Sequence, residues 1–171
     1  MRREPVVLFL FSLAVATGIG LVAYDFGLVE YPGEGEHDRA TVTLMDETGT
    51  LATVDAEVAD TRKERVRGLS EADSLESGSG MLFVHPRAGT HTYVTDEMDF
   101  GIDIIFVEPC DDACPAEADG RITEIHEAPV PSEGEDTSYE GSGRWVLEVP
   151  KGYSAENGVQ PGDYVHIEYR E

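Results

Sequence analysis

Short runs of apolar and β-branched residues, separated by turn-forming residues, recur along most of the chain. Such runs, bounded by Gly, Pro, Asn and Asp, are typical of β-strands. The candidate strands are 40–46, 51–58, 80–84, 91–95, 102–107, 122–126, 144–149 and 164–169. The segment 128–143 is too polar for a core and is interpreted as a loop. Many short strands predict a compact, barrel-like domain or a strongly bent antiparallel sheet. The predicted fold class is therefore mostly β, of the α+β type.

One short helix is predicted within the stretch "DTRKERVRGLS". Asp60 or Thr61 can cap its start and Gly68 can end it, since these residue types are favoured at helix N-caps and after C-termini. Most of its residues are charged, so only Val66 and Leu69 are expected to be buried. We therefore expect a small helix packed on a sheet.

The N-terminal residues predict a membrane anchor. Residues 5–24 carry no charge, over about the 20 residues that cross a bilayer as a helix. Arg2 and Arg3 precede this run and the next basic residue is Arg39, which predicts a cytoplasmic N-terminus and a body outside the cytoplasm. We interpret residues 1–24 as an uncleaved signal-anchor that crosses the cell membrane once. A cleaved signal peptide and a buried core helix are the alternatives.

The rest of the chain divides into a linker and a single domain. Residues 25–40 are rich in Gly, Pro and acid, which is typical of a tether. Residues 41–171 contain all the candidate strands and form the β-rich domain. This organisation predicts an extracytoplasmic domain held near a membrane surface.

The charge of the chain excludes some partners. The formal net charge is -23, from 35 acidic and 12 basic residues. Such a charge repels nucleic acid, because binding nucleic acid needs a basic surface. Disorder is an alternative for a highly charged chain, but 40% of the residues are hydrophobic and strand-like runs recur. An acidic surface with only two lysines resembles the proteins of salt-loving archaea, so we expect a halophilic protein whose repulsions are screened by salt.

Cys110 and Cys114 lie in an acidic loop between two candidate strands, and they predict a disulfide. Thiols outside the cytoplasm tend to be oxidised, and a turn can bring the two Cα atoms within the roughly 4.4–6.8 Å that a disulfide needs. Structural zinc normally has four ligands, and the loop offers two thiols, acids and no nearby histidine. Two unrelated thiols and a metal or redox site are the alternatives. No metal and no cofactor are predicted.

Five stretches in one order carry a family resemblance. They are "EVADTRKERVRGLS", "SGMLFVHP", "GIDIIFV", "GRITEIHEAP" and "RWVLEVPKGYSAENGVQPGDYV". From about residue 54 to 165 the chain resembles domain of unknown function 192. The resemblance implies one mostly β domain with a small helix, often exported or anchored in bacteria and archaea, and implies no activity. Where typical members have Met-Lys-Asn-Thr before Pro-Leu-Asp, this chain lacks the Asn and the Pro but retains Asp103.

Asp103 is the first candidate for a functional side chain. It interrupts "GIDIIFV", and strand alternation places it on the face opposite Ile102 and Ile104. An exposed polar face is one interpretation, since antiparallel sheets often have one. The other is a partly buried carboxylate paired with Arg67 at the end of the short helix. Arg67 and Asp103 are therefore the predicted functional cluster.

Three histidines could form a metal or acid–base site if the fold gathers them. They are His85, His91 and His126, and each lies in or beside a candidate strand, where a structural histidine is the more common case. No nucleophile elbow, phosphate-binding loop or dinucleotide fingerprint occurs in the sequence. No catalytic residue is assigned.

Two classes of function remain. The favoured one is a non-enzymatic module, tethered at the membrane, that binds a surface ligand or a partner protein. The alternative is an envelope enzyme, a hydrolase or transferase, that uses Asp103 with Arg67 and a histidine. A deep pocket containing those groups favours the enzyme, and a groove or apolar patch with the groups apart favours the module.

Overall fold

The computed structural model describes residues 37–95, 98–110, 114–132 and 138–170. The predicted anchor lies outside these ranges, as does the tether up to residue 36. Within them, no helix has both the length and the apolar character needed to cross a bilayer.

The described residues form mostly β-structure with two short helices. The strands are β1 (Arg39–Asp46), β2 (Gly49–Ala59), β3 (Ser79–Val94), β4 (Ile102–Pro109), β5 (Gly120–Ala128), β6 (Ser138–Pro150) and β7 (Tyr164–Arg170). The helices are α1 (Arg62–Arg67) and α2 (Tyr153–Asn157). The prediction of a mostly β domain with little helix is confirmed.

Hydrogen-bonded ladders join the strands in the order β1-β2-β3-β6-β4-β5-β7, and β7 pairs again with β1. The sheet therefore closes into a ring. Every pair is antiparallel except β2 with β3, which are parallel. The prediction of an antiparallel sheet is wrong for this one pair. The connection through α1 returns the chain to the end of the sheet where β2 began, as a parallel pair requires.

Two strand boundaries differ from the prediction. The runs 80–84 and 91–95 belong largely to one long strand, β3. The prediction that 128–143 is a loop is wrong for 138–143, which forms the first half of β6 and pairs with the second half of β3. In this half a Cβ atom on Gly141 would lie 2.5 Å from the ring of Phe106. A glycine at this position therefore leaves room for the Phe106 ring within the sheet, and it does not mark a loop.

Alternating side chains form two apolar clusters. Every strand contributes to the first cluster, which we call the inner core because it fills the ring. The second, which we call the outer core, lies on the other face and includes Phe83, Phe106 and Leu69. Residues 102–107 of β4 are all buried because the strand is covered on both faces. Burial on both faces explains why β4 is an almost continuous apolar run.

Local capping signals set the ends of α1. Thr61 is the N-cap and forms a capping box with Glu64, and the helix ends at Gly68, whose φ is 49°. These positions match the predicted start and end. Leu69 is buried as expected, but the prediction that Val66 is buried is wrong, since it is 79% exposed. The helix has only 6 residues, and the turn after it, rather than the helix itself, enters the outer core.

Candidate functional site

Asp103 is buried in β4, and its carboxylate organises the start of α2. Oδ1 accepts a hydrogen bond from the backbone N–H of Gly152 at 2.9 Å, and Oδ2 accepts one from the N–H of Ser154 at 2.9 Å. The first turn of a helix leaves such N–H groups without intrahelical partners. Both carboxylate oxygens are thereby occupied, and the role of Asp103 is structural.

Arg67 lies on the other face of the sheet. It lines a cavity together with Phe83 of the outer core. Ile102 and Ile104 also belong to the outer core, so alternation turns Asp103 away from it, as predicted. The structure therefore does not bring Arg67 and Asp103 together, and the prediction that they pair is wrong.

Cys110 and Cys114 are joined by a disulfide, with Cα atoms 5.8 Å apart. The pair lies in the loop between β4 and β5, where the sequence predicts a disulfide. Residues 111–113 lie outside the described ranges. The N–H of Cys110 donates to the carbonyl oxygen of Asp119 at 2.9 Å, which continues the contact between the two strands. Among the described residues, no three His, Cys, Asp or Glu side chains are grouped to hold a metal ion.

A cavity of about 620 Å³ lies between α1 and the outer face of β3. Its apolar lining includes Leu69, Phe83 and Met98, which belong to the outer core. Val66 and Val94 also line it, although they are 79% and 65% exposed, so they form part of its mouth. The volume falls within the roughly 300–1,000 Å³ that is common for small-molecule sites. We call it the α1 cavity.

Glu148 of β6 lines the α1 cavity from the sheet side and is 5% exposed. Its neighbours Leu147 and Val149 belong to the inner core, which directs Glu148 to the outer face. No described residue forms a hydrogen bond or ion pair with its carboxyl group. Burial raises the pKa of Glu148 to about 8. At neutral pH it is therefore mostly a neutral acid with an O–H group available as a donor.

A pair of ring side chains lies beside Glu148. His85 Nε2 is 2.9 Å from the hydroxyl oxygen of Tyr93, and the ring of His85 stacks on that of His91 with centroids 3.5 Å apart. Burial, followed by the charges of His91 and Arg65, lowers the pKa of His85 to about 3. Burial and the nearby Glu148 raise the pKa of Tyr93. Glu148, His85 and Tyr93 are therefore polar but uncharged at neutral pH, and Arg65 is a charged side chain close to them.

The mouth of the α1 cavity is basic in an otherwise acidic chain. Of the 12 basic residues, 4 lie in α1, namely Arg62, Lys63, Arg65 and Arg67. Arg65 donates to the backbone carbonyl of Val84 at 2.8 Å, which fixes it against β3. Arg62 and Arg67 are exposed, line the cavity and form no ion pair with another described residue. Glu64, the one acid of α1, lies near Arg67, so the basic side chains of the helix outnumber its acid at the opening.

His126 does not join the other two histidines. Its Nε2 is 3.0 Å from the carbonyl oxygen of Glu140, and its ring lies 5.7 Å from the rings of Phe106 and Tyr139. It is absent from the lining of the α1 cavity. The structure thus brings together His85 and His91, but not the predicted set of three.

A second cavity, of about 570 Å³, lies beside the disulfide. Its polar lining is already engaged: Arg121 Nε donates to the Gly162 carbonyl at 3.1 Å, and Ser142 Oγ donates to Glu108 Oε1 at 2.7 Å. Thr123 Oγ1 donates to the Ser142 carbonyl at 2.6 Å. The α1 cavity, by contrast, joins apolar side chains of the outer core to Glu148, whose carboxyl group forms no hydrogen bond with another described residue. The α1 cavity is therefore the better candidate.

Sequence reasoning missed Glu148, although a signal was present. The run "WVLEVP" places one carboxylate between apolar residues of a predicted strand, the same pattern that singled out Asp103. Tyr93 was missed as well, because a tyrosine in a strand carries no distinctive signal of its own. Arg67 lines the α1 cavity together with Glu148, whereas the prediction paired it with Asp103.

Solved structures share this fold. A protein from Sinorhizobium meliloti 1021, described as a candidate transcription regulator, is 23% identical with a TM-score of 0.64, over 79% of this chain and 98% of that chain. A protein of unknown function from Novosphingobium aromaticivorans DSM 12444 is 25% identical with a TM-score of 0.61, over 81% of this chain and 91% of that chain. No curated protein matches the sequence.

The resemblance noted in the sequence is confirmed by a family model. The model of DUF192, described as an uncharacterised ACR, matches residues 43–167, from β1 to β7. The matched region includes the α1 cavity, the disulfide and the buried carboxylates Asp60, Asp103 and Glu148. The chain belongs to the DUF192 family.

Proposed function

We propose that this protein is a non-enzymatic ligand-binding module and that its ligand binds in the α1 cavity. The observation that carries the proposal is Glu148, a carboxyl group that faces a cavity of small-molecule size and forms no hydrogen bond with another described residue. Its oxygens are not among the fully enclosed side-chain atoms without a partner, so they are open to the cavity. A ligand in the cavity can therefore accept a hydrogen bond from Glu148. His85 and Tyr93, already paired with each other, shape the polar end of the cavity.

Binding is better supported than catalysis. The enzyme alternative relies on Asp103, and both oxygens of that carboxylate are engaged by α2. Acid–base catalysis is most effective when the pKa of the catalytic group lies near the working pH. The pKa of His85, about 3, is far below neutrality. His85 is therefore unsuited to proton transfer near neutral pH, which leaves the enzyme alternative without the pairing of Asp103 and a histidine that it requires.

A role on DNA is disfavoured by charge. The description of the Sinorhizobium meliloti protein raises the possibility of transcription regulation. A net charge of -23 repels the phosphate backbone, which supplies much of the affinity in protein–DNA complexes. The basic residues of α1 border a cavity containing apolar side chains, which suits a small ligand better than a duplex.

The module is tethered to the cell membrane, with the domain outside the cytoplasm. The support is the uncharged run 5–24 behind Arg2 and Arg3. Protease added to intact cells or spheroplasts should digest the domain. Complete protection, while a known external protein is digested, would contradict this orientation.

The acidic surface belongs to a halophilic protein. Repulsion among carboxylates disfavours the compact state, and salt screens it. The midpoint of thermal unfolding should therefore rise as salt increases from dilute to molar. An unchanged midpoint over that range would contradict halophilic adaptation.

The binding proposal is tested with an uncharged fluorescent probe, N-phenyl-1-naphthylamine, added to the purified full chain. Thr92 is exposed and lines the α1 cavity, so Thr92→Trp should fill the mouth and reduce probe binding. Thr90 is an exposed threonine two positions earlier in β3 that does not line the cavity. Thr90→Trp is therefore the matched control and should bind like the wild type.

Circular dichroism establishes that both variants are folded before their affinities are compared. A buffer sample without protein provides the fluorescence blank. Equal probe binding by both variants would place the probe elsewhere and refute the α1 cavity as the binding site.

A further inference from the structure

The two ends of the α1 cavity differ in electrostatic character. At the mouth, Arg62 and Arg67 are exposed cations with no ion-pair partner among the described residues. The attraction between one exposed arginine and an anion is modest. The rest of the chain is mostly acidic, so the two arginines stand out against it. An anion is therefore attracted to this opening and repelled by most of the remaining surface.

The inner part is mostly neutral. Glu148, His85 and Tyr93 are all neutral near pH 7, because burial penalises their charged forms. Beside them lie the apolar side chains of Phe83 and Met98. Arg65 is a cation close to His85 and Tyr93, but it already donates to the carbonyl oxygen of Val84, so a charged group placed here would lose its hydration for little return. The inner part is suited to an apolar or aromatic body with neutral polar atoms.

We infer that the ligand of the α1 cavity is a small amphipathic anion. Its anionic group, a carboxylate, sulfonate or phosphate, contacts Arg62 and Arg67, and its apolar body lies against the outer core. This inference rests on the proposed function, since it specifies the ligand of the same cavity. A volume of about 620 Å³ suits one compact apolar body and is too small for the two chains of a phospholipid.

A matched pair of probes tests the charge requirement. 8-Anilino-1-naphthalenesulfonate has the framework of N-phenyl-1-naphthylamine with one added sulfonate, so the difference between their affinities reports the anionic group. The full chain should bind the sulfonate more tightly than the neutral probe, despite its net negative charge. Arg62→Gln combined with Arg67→Gln should weaken sulfonate binding by roughly three- to tenfold, given the strength of exposed ion pairs. Binding of the neutral probe should stay unchanged.

The control variant removes the same amount of charge elsewhere. Arg87 and Arg144 are exposed and do not line the α1 cavity. Arg87→Gln combined with Arg144→Gln should therefore leave the affinity of both probes unchanged. An equal loss of sulfonate affinity in the two double variants would show a general charge effect and overturn the inference.

The remaining outcomes separate this inference from the proposed function. The wild type could bind the neutral probe as tightly as the sulfonate, with Thr92→Trp blocking both. That result would overturn the anion requirement and leave the α1 cavity as a binding site. Binding of neither probe would refute the proposed function itself. Circular dichroism of each variant excludes unfolding as the cause.

Discussion

The protonation of Glu148 makes the stability of the domain depend on pH in a defined way. Burial raises its pKa from an ordinary 4.5 to about 8 in the folded state. Between these values the folded protein retains a proton that the unfolded chain has released. Raising the pH then favours unfolding, because stability falls with pH wherever the folded state binds more protons. Glu148→Gln replaces the acid by a neutral group of the same shape and removes this dependence.

The expected size follows from the two pKa values. The difference in proton binding persists over most of the interval from pH 6 to pH 8 and diminishes as the pH approaches 8. Integrated over that interval, it amounts to about 2 kcal/mol of unfolding free energy. Relative to wild type, Glu148→Gln should therefore gain about 2 kcal/mol between pH 6 and pH 8. His85 has a lowered pKa and is present in both proteins, so its contribution largely cancels in the comparison.

Urea unfolding followed by circular dichroism, at fixed high salt and at pH 6, 7 and 8, measures the effect. Glu140 lies on the same strand but is exposed, so Glu140→Gln is the matched control and should follow the wild type at all three values. If the free energies of wild type and Glu148→Gln change in parallel from pH 6 to pH 8, Glu148 does not carry a buried proton. Glu148 would then not be a neutral hydrogen-bond donor in the cavity.

Three further changes test the structural assignments by thermal or urea unfolding. Asp103→Ala should cost about 2–3 kcal/mol, because two N–H groups of α2 lose their acceptor, while an unchanged stability would refute that role. Replacing Cys110 and Cys114 by Ser should cost about 2 kcal/mol, since the closed loop is short, and two free thiols by intact mass after alkylation without reduction would contradict the disulfide. Gly141→Ala should cost about 1–3 kcal/mol through overpacking, because its Cβ would lie 2.5 Å from an aromatic ring of β4. Gly89→Ala, with open space around the added Cβ, is its control and should be almost neutral.

The parts of the fold that depend on local sequence were predictable. Strand alternation and turn residues identified most strands, and the residue types at Thr61 and Gly68 identified the ends of α1. The loop that carries the cysteines was recognisable because it lies between two apolar runs. Each of these signals extends over a few residues, so contacts with distant segments changed these local structures little.

The parts that depend on distant segments were not predictable. The first half of β6 forms because β3 lies beside it, although its own residues are too polar to indicate a buried strand. The partners of Asp103 lie in α2, 49 and 51 residues later in the chain. The burial of Glu148 depends on the outer core that forms over β6. A single sequence contains no direct signal for such pairings.

Two of the buried carboxylates, Asp103 and Glu148, show why burial alone does not identify a functional residue. In the ladder of β4 and β6, Asp103 is opposite Val149 and Ile104 is opposite Glu148, so the two acids occupy adjacent positions on opposite faces. Both are at most 5% exposed. Asp103 uses both oxygens to accept N–H groups, which explains its presence through folding alone.

Glu148 has no such explanation within the described residues. Its carboxyl group forms no hydrogen bond with another described residue, and its oxygens are open to the adjoining cavity. A ligand in the cavity can accept a hydrogen bond from it. The criterion that separates the two acids is therefore the satisfaction of their hydrogen bonds. By that criterion Glu148 is the better candidate for contact with a ligand, and Asp103, the more conspicuous of the two in the sequence, stabilises the fold.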